Sequence, residues 1–456
     1  MRGRKVWLVS AAVGLAASGI VIAAAGPAGA TNVSTEAALR AAFGDPAETK
    51  IDLDADISLS DCSEGAADVT RTGDADLILD GHGHTITQTC DNRVFEIDGA
   101  AVTVQNITIT GGDASFNTTK VGGGIAHFGP GLLSVVDSVI TGNHGGEGGG
   151  GLFGDGGIKV TNSTISENDA DYNSAADSEL TITIVGSSIT NNKSSSAPDI
   201  NAAGTVGSTG ALTIQSSSVT NNVNPVRNAL GSGESVNVIN STVVGNAPAQ
   251  GLGGAAVRLV YSTIVDNGGN DGAANIGADA LTSFASVVAL PRGGRANCSK
   301  SGATSNGFNF SDDASCGFTN ATQKDRETAG DPALGALANN GGKSETRKPS
   351  DTSPLKDAIP PDLCQIDAAA GVTADQVGTA RPQGAGCEIG AFEIAVAAPT
   401  SATAPPEATV VEVASLSSAK SSSGGAPIAL IVLAVLVIGG IVIALLIRRR
   451  RSDDAA

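Results

Sequence analysis

Apolar and polar residues alternate in short segments that recur between residues 100 and 270. One phrase of seven residues returns every 21 to 31 positions. Periods of this size are typical of solenoid proteins, in which each repeat stacks on the next. The copies are NITITGG, DSVITGN, NSTISEN, GSSITNN, SSSVTNN, NSTVVGN and YSTIVDN, and they end at Gly112, Asn143, Asn168, Asn192, Asn222, Asn246 and Asn267.

A second alternating segment precedes these phrases. Alternation with period two predicts short strands that bury one face, and no repeat contains a helical pattern of ten residues. Two strands joined by one bend, at about 25 residues per turn, predict an all-β, single-stranded parallel β-helix. A β-sandwich is the alternative, but it gives no reason for the recurring phrase. The preceding segments are 102–104, 133–135, 158–160, 212–214, 236–238 and 257–259.

The Asn that ends most of these phrases has two predicted roles. Asn adopts the left-handed backbone region at lower cost than most residues, so it suits a sharp bend. Stacked turns would also let the amide side chains bond to one another as a ladder. The predicted turn-ladder residues are Asn143, Asn168, Asn192, Asn222, Asn246 and Asn267.

The two ends of the chain predict export and anchoring. Residues 1–30 have a basic start, an apolar stretch and the small residues Ala28, Gly29 and Ala30, as a cleaved signal peptide does. An uncleaved N-terminal anchor is the alternative. The apolar run 427–447 is long enough for a bilayer, and the arginines after it predict a cytoplasmic tail. These stop-transfer residues are Arg448, Arg449, Arg450 and Arg451.

The predicted organisation follows from these landmarks. A signal peptide spans 1–30, a β-helix 31–290, a C-terminal module 291–393, a linker rich in Ala, Ser, Thr and Pro 394–426, a transmembrane helix 427–447 and a cytoplasmic tail 448–456. Thr35 and Gly44 bound a short helix that is expected to cap the first turn, because open solenoid ends need covers. We therefore expect a single-pass membrane protein of a Gram-positive-type surface, with its ectodomain outside the cell.

Composition refines this picture. The chain has 60 Gly and only 3% aromatic residues, which suits a narrow interior of stacked aliphatic side chains. A net charge of −19 argues against a nucleic-acid partner. Six cysteines in an exported chain predict disulfides, and 15 pairings are open. Their grouping favours Cys62–Cys90, Cys298–Cys316 and Cys364–Cys387, and a metal site is disfavoured because no C-x-x-C pair accompanies them.

The segment after residue 297 carries an ordered series of motifs. They read DPALGALANNGG from Asp331, SPLKDA from Ser353, DQVGTARP from Asp375 and CEIGAFE from Cys387. This series resembles the choice-of-anchor Q domain of bacterial surface proteins, which follows a right-handed parallel β-helix. The upstream repeats are similar to pectate-lyase-like β-helices and polymorphic outer-membrane repeats. The chain departs from sortase-anchored members because no LPxTG motif precedes the apolar run.

Candidate chemistry is sparse. Paired carboxylates or acidic calcium sites would be needed by a polysaccharide-active enzyme. The adjacent acidic pairs are expected to be solvated turns, and surface roles are expected for His82, His84, His127 and His144. No catalytic, cofactor or metal residue is predicted. The acidic pairs are Asp54 with Asp56, Asp74 with Asp76, Asp169 with Asp171, and Asp312 with Asp313.

The predicted function is a non-enzymatic, adhesin-like or structural surface platform that uses no cofactor. An extracellular glycan or protein is its expected ligand, in addition to the membrane that holds the anchor. A polysaccharide lyase or hydrolase is the alternative, and an inert envelope spacer is a third hypothesis that only binding assays separate from adhesion.

Overall fold

Period-two alternation produces strands throughout the computed structural model of this chain, which describes residues 29–63, 68–195, 204–225, 228–269 and 272–396. These residues belong to one compact unit. Its elements are β1 Thr31–Val33, α1 Glu36–Gly44, β2 Lys50–Leu53, β3 Ile57–Leu59, β4 Val69–Gly73, β5 Leu77–Asp80, β6 Thr85–Gln88, β7 Phe95–Gly99, β8 Val102–Gln105, β9 Thr108–Thr110, β10 Ile125–His127, β11 Leu133–Val136, β12 Val139–Thr141, β13 His144–Gly148, β14 Leu152–Gly154, β15 Ile158–Thr161, β16 Thr164–Ser166, β17 Asp169–Tyr172, β18 Ala176–Ser178, β19 Ile182–Val185, β20 Ser188–Thr190, β21 Lys193–Ser194, β22 Val206–Ser208, β23 Leu212–Gln215, β24 Ser218–Thr220, β25 Asn228–Ile239, β26 Thr242–Val244, β27 Gln250–Val260, β28 Thr263–Val265, β29 Ile276–Phe284, β30 Val287–Ala289, β31 Cys298–Ser305, β32 Phe310–Ser311, β33 Leu334–Ala338 and β34 Thr346–Pro349. Short 3₁₀ turns lie at Arg292–Gly294, Ala321–Gln323, Pro361–Leu363 and Asp367–Ala369.

The strands form an all-β parallel solenoid of the right-handed type. Each turn, or rung, adds strands to a large first sheet and one strand to a second sheet that runs from β3 to β32. A short third sheet joins β13, β17 and β21, and β33 pairs with β34 in an antiparallel hairpin. The pairings between rungs are parallel, which excludes a β-sandwich.

Aliphatic residues stack in register through the interior. In the second sheet one column pairs each residue with its counterpart on the next rung, and all its members are buried. The predicted stacking of small aliphatic side chains is therefore confirmed, and it accounts for a core that needs few aromatic rings. The column is Ile109, Ile140, Ile165, Ile189, Val219, Val243, Ile264 and Val288.

The helix α1 covers the start of the solenoid, as its sequence predicts. The Ala38 amide donates to Thr35 Oγ1 at 3.2 Å, so Thr35 is the N-cap. The helix buries Leu39, Ala42 and Phe43, and the Phe43 ring lies 4.7 Å from that of Phe95 between centroids.

Parallel pairing continues beyond the predicted β-helix boundary at residue 290. Strand β31 pairs with β29, and β32 pairs with β30, so the solenoid extends by one rung to Ser311. The sequence rhythm ends earlier because the last rung replaces the recurring phrase with the disulfide-bonded segment Cys298–Cys316.

Three disulfides join Cys62 to Cys90, Cys298 to Cys316 and Cys364 to Cys387. The presence of disulfides is thus confirmed, and the pairs are those that the grouping along the sequence favours. The first lies near the N-terminal rungs, the second closes the last rung, and the third lies within the C-terminal module.

Several predicted segments lie outside the described residues. These are residues 1–28 of the signal peptide, most of the linker, the apolar run 427–447 and the tail with Arg448, Arg449, Arg450 and Arg451. Within the described ranges, the helices are too short or too polar to cross a bilayer.

Candidate functional site

The six predicted turn-ladder asparagines form a continuous buried chain of hydrogen bonds. Asn143 Nδ2 donates to Asn168 Oδ1 at 3.0 Å, and the same contact repeats on each following rung as far as Asn267. Each acceptor oxygen also receives the backbone amide of the preceding ladder residue at 2.9–3.2 Å. Asn275 and Asn297 prolong the chain toward the last rung.

The predicted backbone conformation of these asparagines is wrong. The left-handed residue is the one immediately before each ladder Asn, for example Glu167, Asn191 and Asp266, each with φ of 56–57°. The ladder Asn has no positive φ because its side chain must turn inward to reach the neighbouring rungs. The bend and the ladder therefore use two adjacent residues rather than one.

A second ladder, made of serines, was not predicted. Ser163 Oγ accepts the Ser138 backbone amide at 3.0 Å, and Ser187 Oγ accepts that of Ser163 at 3.0 Å. The contact repeats at the same corner down to Ser286. The sequence did contain a sign of this ladder, since the second position of six phrases is Ser. A Ser in a polar bend, however, gives no indication that its side chain is buried.

The first residues of the first six phrases form what we call the polar corner row, defined as Asn106, Asp137, Asn162, Gly186, Ser216 and Asn240. All six have φ between 47° and 60°. The left-handed backbone recurs at the same corner because each strand of the first sheet must turn sharply into the second.

The C-terminal module packs against the C-terminal rungs of the solenoid, next to the polar corner row. Arg381 is fully buried, donates to Glu393 Oε2 at 2.7 Å and lies 4.3 Å from the centroid of the Tyr261 ring. Tyr261 in turn donates its hydroxyl to the Cys364 carbonyl at 2.9 Å. The motif residues of the module therefore hold it against the solenoid.

A cleft of about 770 Å³, with a lining of mixed polar and apolar groups, lies where the module meets the polar corner row. One wall comes from the solenoid and includes Asn162, Gln215 and Asn240. The other comes from the module loops 341–344 and 370–378. The sequence could not indicate this cleft, because its two walls are far apart along the chain.

The adjacent acidic pairs do not assemble a catalytic centre among the described residues. Asp56 accepts the Thr85 amide at 2.9 Å, and this bond lowers its pKa. Asp169 pairs with His144 at 2.8 Å, and Asp171 accepts from Ser195. The pair Asp312 and Asp313 is partly buried rather than solvated, since the two accept the backbone amides of Leu290 and Asn297.

One histidine contradicts its expected surface role. His127 is completely buried in β10, and its Nε2 lies 2.8 Å from the Ala100 carbonyl. Its Nδ1 has no hydrogen-bond partner. His127 extends from the inner face of its strand, where its register partner is Gly154, which leaves room for the ring.

Asp52, Asp80 and His82 bring their ligand atoms within 4.8 Å of one another, as a metal site would. However, Lys50 Nζ already lies 3.0 Å from Asp52 Oδ1. Asp80 accepts from Gln105, Asn106 and the His82 amide. These donors satisfy Asp80, and Lys50 neutralises Asp52, although Asp52 Oδ1 accepts no hydrogen bond from the described residues.

A second acidic group, Asp155, Asp177 and Glu179, forms on consecutive rungs. Strands β14 and β18 pair with Phe153 opposite Asp177. Asp155 and Glu179, which come directly after these two strands, therefore lie at the same edge of the sheet as Asp177. Burial raises the pKa of Asp177 to about 7, and the neighbouring carboxylates add to this rise. Burial also raises the pKa of Asp155. The sequence did not indicate this group, because Asp155 comes from one rung and both Asp177 and Glu179 come from the next.

Replacing Asp177 with Asn is expected to stabilise the protein at pH 8 by about 1–3 kcal/mol. This free energy is smaller than the whole rise in the Asp177 pKa would give, because the side chain is partly exposed to solvent. The pKa of Asp177 is about 7 in the folded state against an ordinary value of 3.8, so the folded state retains a proton that the unfolded state releases. Wild-type stability therefore falls as pH rises between these values, whereas the amide introduced by Asp177→Asn cannot ionise. Urea unfolding at pH 4 and pH 8 measures the difference.

The exposed Asp279 provides the control for this variant. Asp279→Asn should change stability by less than about 0.5 kcal/mol at either pH. Equal effects of Asp177→Asn at pH 4 and pH 8 would contradict the proposed burial of a proton-binding carboxyl group.

Comparisons with known proteins give limited matches. Residues 30–123 match a family described as "Putative pectate lyase-like adhesive domain", a region that contains β1 to β9 and α1. No curated protein matches the sequence. The solved structure of L. reuteri 53608 SRRP is similar over 62% of this chain and 98% of its own, with 15% identity and a TM-score of 0.33. This structural similarity is too low to support any inference.

Proposed function

We propose that this chain is an exported cell-surface adhesin, anchored by a single membrane helix at 427–447, with its solenoid outside the cell and residues 448–456 in the cytoplasm. The single observation that supports adhesion is the match of residues 30–123 to an adhesive domain family. Those residues are the first rungs of one solenoid, whose ladders make it a stiff support for a ligand-binding surface. We also propose that residues 291–393, of which β31 and β32 form the last rung of the solenoid, are a choice-of-anchor Q-like module.

Cells that express the full chain should be retained on at least one immobilised extracellular glycan or matrix protein, and vector-only cells should not. A stiff, multivalent surface array converts weak single contacts into retention under flow. The measurement is the number of cells retained under shear, with surface display checked by shedding of a β-rich fragment by external protease. Full display without retention on any ligand would leave the inert spacer as the better hypothesis.

The acidic group Asp155, Asp177 and Glu179 favours a second candidate, a polysaccharide-active enzyme. A carboxyl group with a pKa near 7 is suited to act as a general acid at neutral pH. Product release from pectin, alginate or neutral polysaccharides, measured with and without calcium, tests this candidate. Asp177→Asn should abolish such turnover while stabilising the fold, a combination that misfolding cannot produce.

A further inference from the structure

The cleft between solenoid and module offers hydrogen-bonding groups that the protein does not use. Among the described residues, none is hydrogen-bonded to the side-chain amide of Asn162 or of Gln215, and both side chains are exposed at the cleft wall. The hydroxyl groups of Ser216 and Ser344 belong to the same lining, and each already accepts a hydrogen bond, from Asn240 and from Gln376. The cleft is therefore rich in groups that both donate and accept hydrogen bonds.

Asn240 gives an independent indication of a ligand. It lines the cleft, is only 4% exposed, and donates from Nδ2 to Ser216 Oγ at 3.1 Å. Its Oδ1 is buried and receives no hydrogen bond. Leaving a buried amide oxygen without a donor costs about 1–3 kcal/mol, so this oxygen at the cleft wall is an acceptor that the described residues leave unused.

The charges around the cleft argue for a neutral ligand. Lys343 is the cationic side chain of the lining, and its Nζ lies 3.1 Å from Asp137 Oδ1 at the neighbouring corner. The Asp375 carboxylate is occupied, because it accepts the amides of Val377, Thr379 and Glu393. An acidic ligand would find no unpaired cation there and would approach a chain of net charge −19.

Size and polarity narrow the ligand class further. A volume of about 770 Å³ lies within the range of small-molecule sites. An apolar ligand would leave the amides of Asn162 and Gln215 and the Oδ1 of Asn240 without partners, whereas a compound with many hydroxyl groups offers donors and acceptors to them. The lining contains no aromatic side chain, so recognition would depend on hydrogen bonds rather than on ring stacking.

We propose that this cleft binds a short neutral saccharide through the amides of Asn162, Gln215 and Asn240. The inference rests on the proposed surface function and assigns it a ligand class. A neutral ligand would distinguish this chain from proteins that bind acidic polysaccharides such as pectate. Each contact is weak, so the affinity of one cleft is modest and retention depends on many copies at the surface.

Titration of the purified full chain in detergent with maltotriose, cellotriose, mannotriose and trigalacturonate tests this proposal. At least one neutral trisaccharide should bind with a Kd of about 10 μM to 1 mM. Gln215→Trp places a large ring in the cleft and should weaken binding at least about tenfold, and Gln215→Ala about threefold. Thr213→Trp is the matched control, because Thr213 lies on the same face of β23 but outside the cleft, and it should change the Kd less than about twofold.

Lys343→Met and added salt distinguish ligand charge. A neutral saccharide should keep its Kd within about twofold under both changes. Preferential binding of trigalacturonate that is lost in Lys343→Met would overturn the neutral assignment. Neutral binding that survives Gln215→Trp, in a protein with unchanged thermal stability, would overturn the assignment to this cleft.

The outcomes also separate this inference from the proposed function. Cells that adhere only to a protein ligand, with no saccharide binding in the titration, would refute the saccharide cleft and keep the adhesin. Cells that adhere to nothing, while the purified chain still binds a neutral trisaccharide, would refute adhesion alone.

Discussion

Replacing Arg381 with Met is expected to lower the free energy of unfolding by about 3–5 kcal/mol at pH 9, because it breaks a buried ion pair and leaves the ionised Glu393 without a counter-charge. Arg381 and Glu393 are both fully buried and lie 2.7 Å apart. The guanidinium also donates to the carbonyls of Glu388 and Gly390 and stacks on Tyr261. Met retains an apolar stem of similar length, so the loss measures the charge and its hydrogen bonds rather than a cavity.

The pH dependence of this loss identifies its cause. Burial raises the pKa of Glu393 to about 8, and Arg381 opposes that rise. Without Arg381 the carboxyl group takes up a proton more readily, and protonation removes the uncompensated charge. The destabilisation should therefore be larger at pH 9 than at pH 6, and urea unfolding at the two values measures it.

Arg258→Met is the control for the arginine substitution. Arg258 lies on β27 of the solenoid and is partly exposed, so its loss should cost less than about 1 kcal/mol. If Arg381→Met costs no more than Arg258→Met, or costs the same at both pH values, the buried pair does not hold the module in place.

The docking of the module shows where sequence reasoning ends. The motif around Arg381 and Glu393 was recognisable, but its contact Tyr261 looked like an ordinary member of the phrase YSTIVDN. Nothing in the local pattern distinguishes a Tyr in the polar corner of a repeat from one that a distant segment covers. The same limit applies to the cleft, whose amides Asn162 and Gln215 meet residues of the module only after folding.

The solenoid itself was predictable because its forces are local and periodic. Alternation places aliphatic residues on one face, and the residues at the same position of successive phrases stack, so Ile165 and Ile189 pair as the pattern predicts. The recurring Asn also indicated a ladder. The conformational role of that Asn was misassigned because the sequence cannot show which of two adjacent polar residues, such as Asn191 and Asn192, turns inward.

Replacing Asn192 with Leu should lower the free energy of unfolding by about 3–5 kcal/mol, since more than one buried polar group loses its partner. Asn192 is fully buried, and its Oδ1 accepts both the amide and the Nδ2 of Asn168. Its Nδ2 donates to the Ile165 carbonyl at 3.0 Å and to Asn222 Oδ1 at 3.0 Å. Leu has a similar volume, so the loss reports broken hydrogen bonds rather than an empty space.

The damage should spread along the solenoid rather than across it. Each rung contacts mainly its two neighbours, so a defect weakens adjacent rungs first. Amide hydrogen exchange should therefore accelerate in β16, β20 and β24, while β3 and β6 near the N-terminal cap keep their protection. The neighbouring exposed residue gives the matched control: Asn191→Gly keeps the left-handed φ of 57° accessible and should change stability by less than about 1 kcal/mol. If Asn192→Leu and Asn191→Gly have equal effects, the inward amides do not carry the stability of the stack, and the aliphatic columns alone must hold the rungs in register.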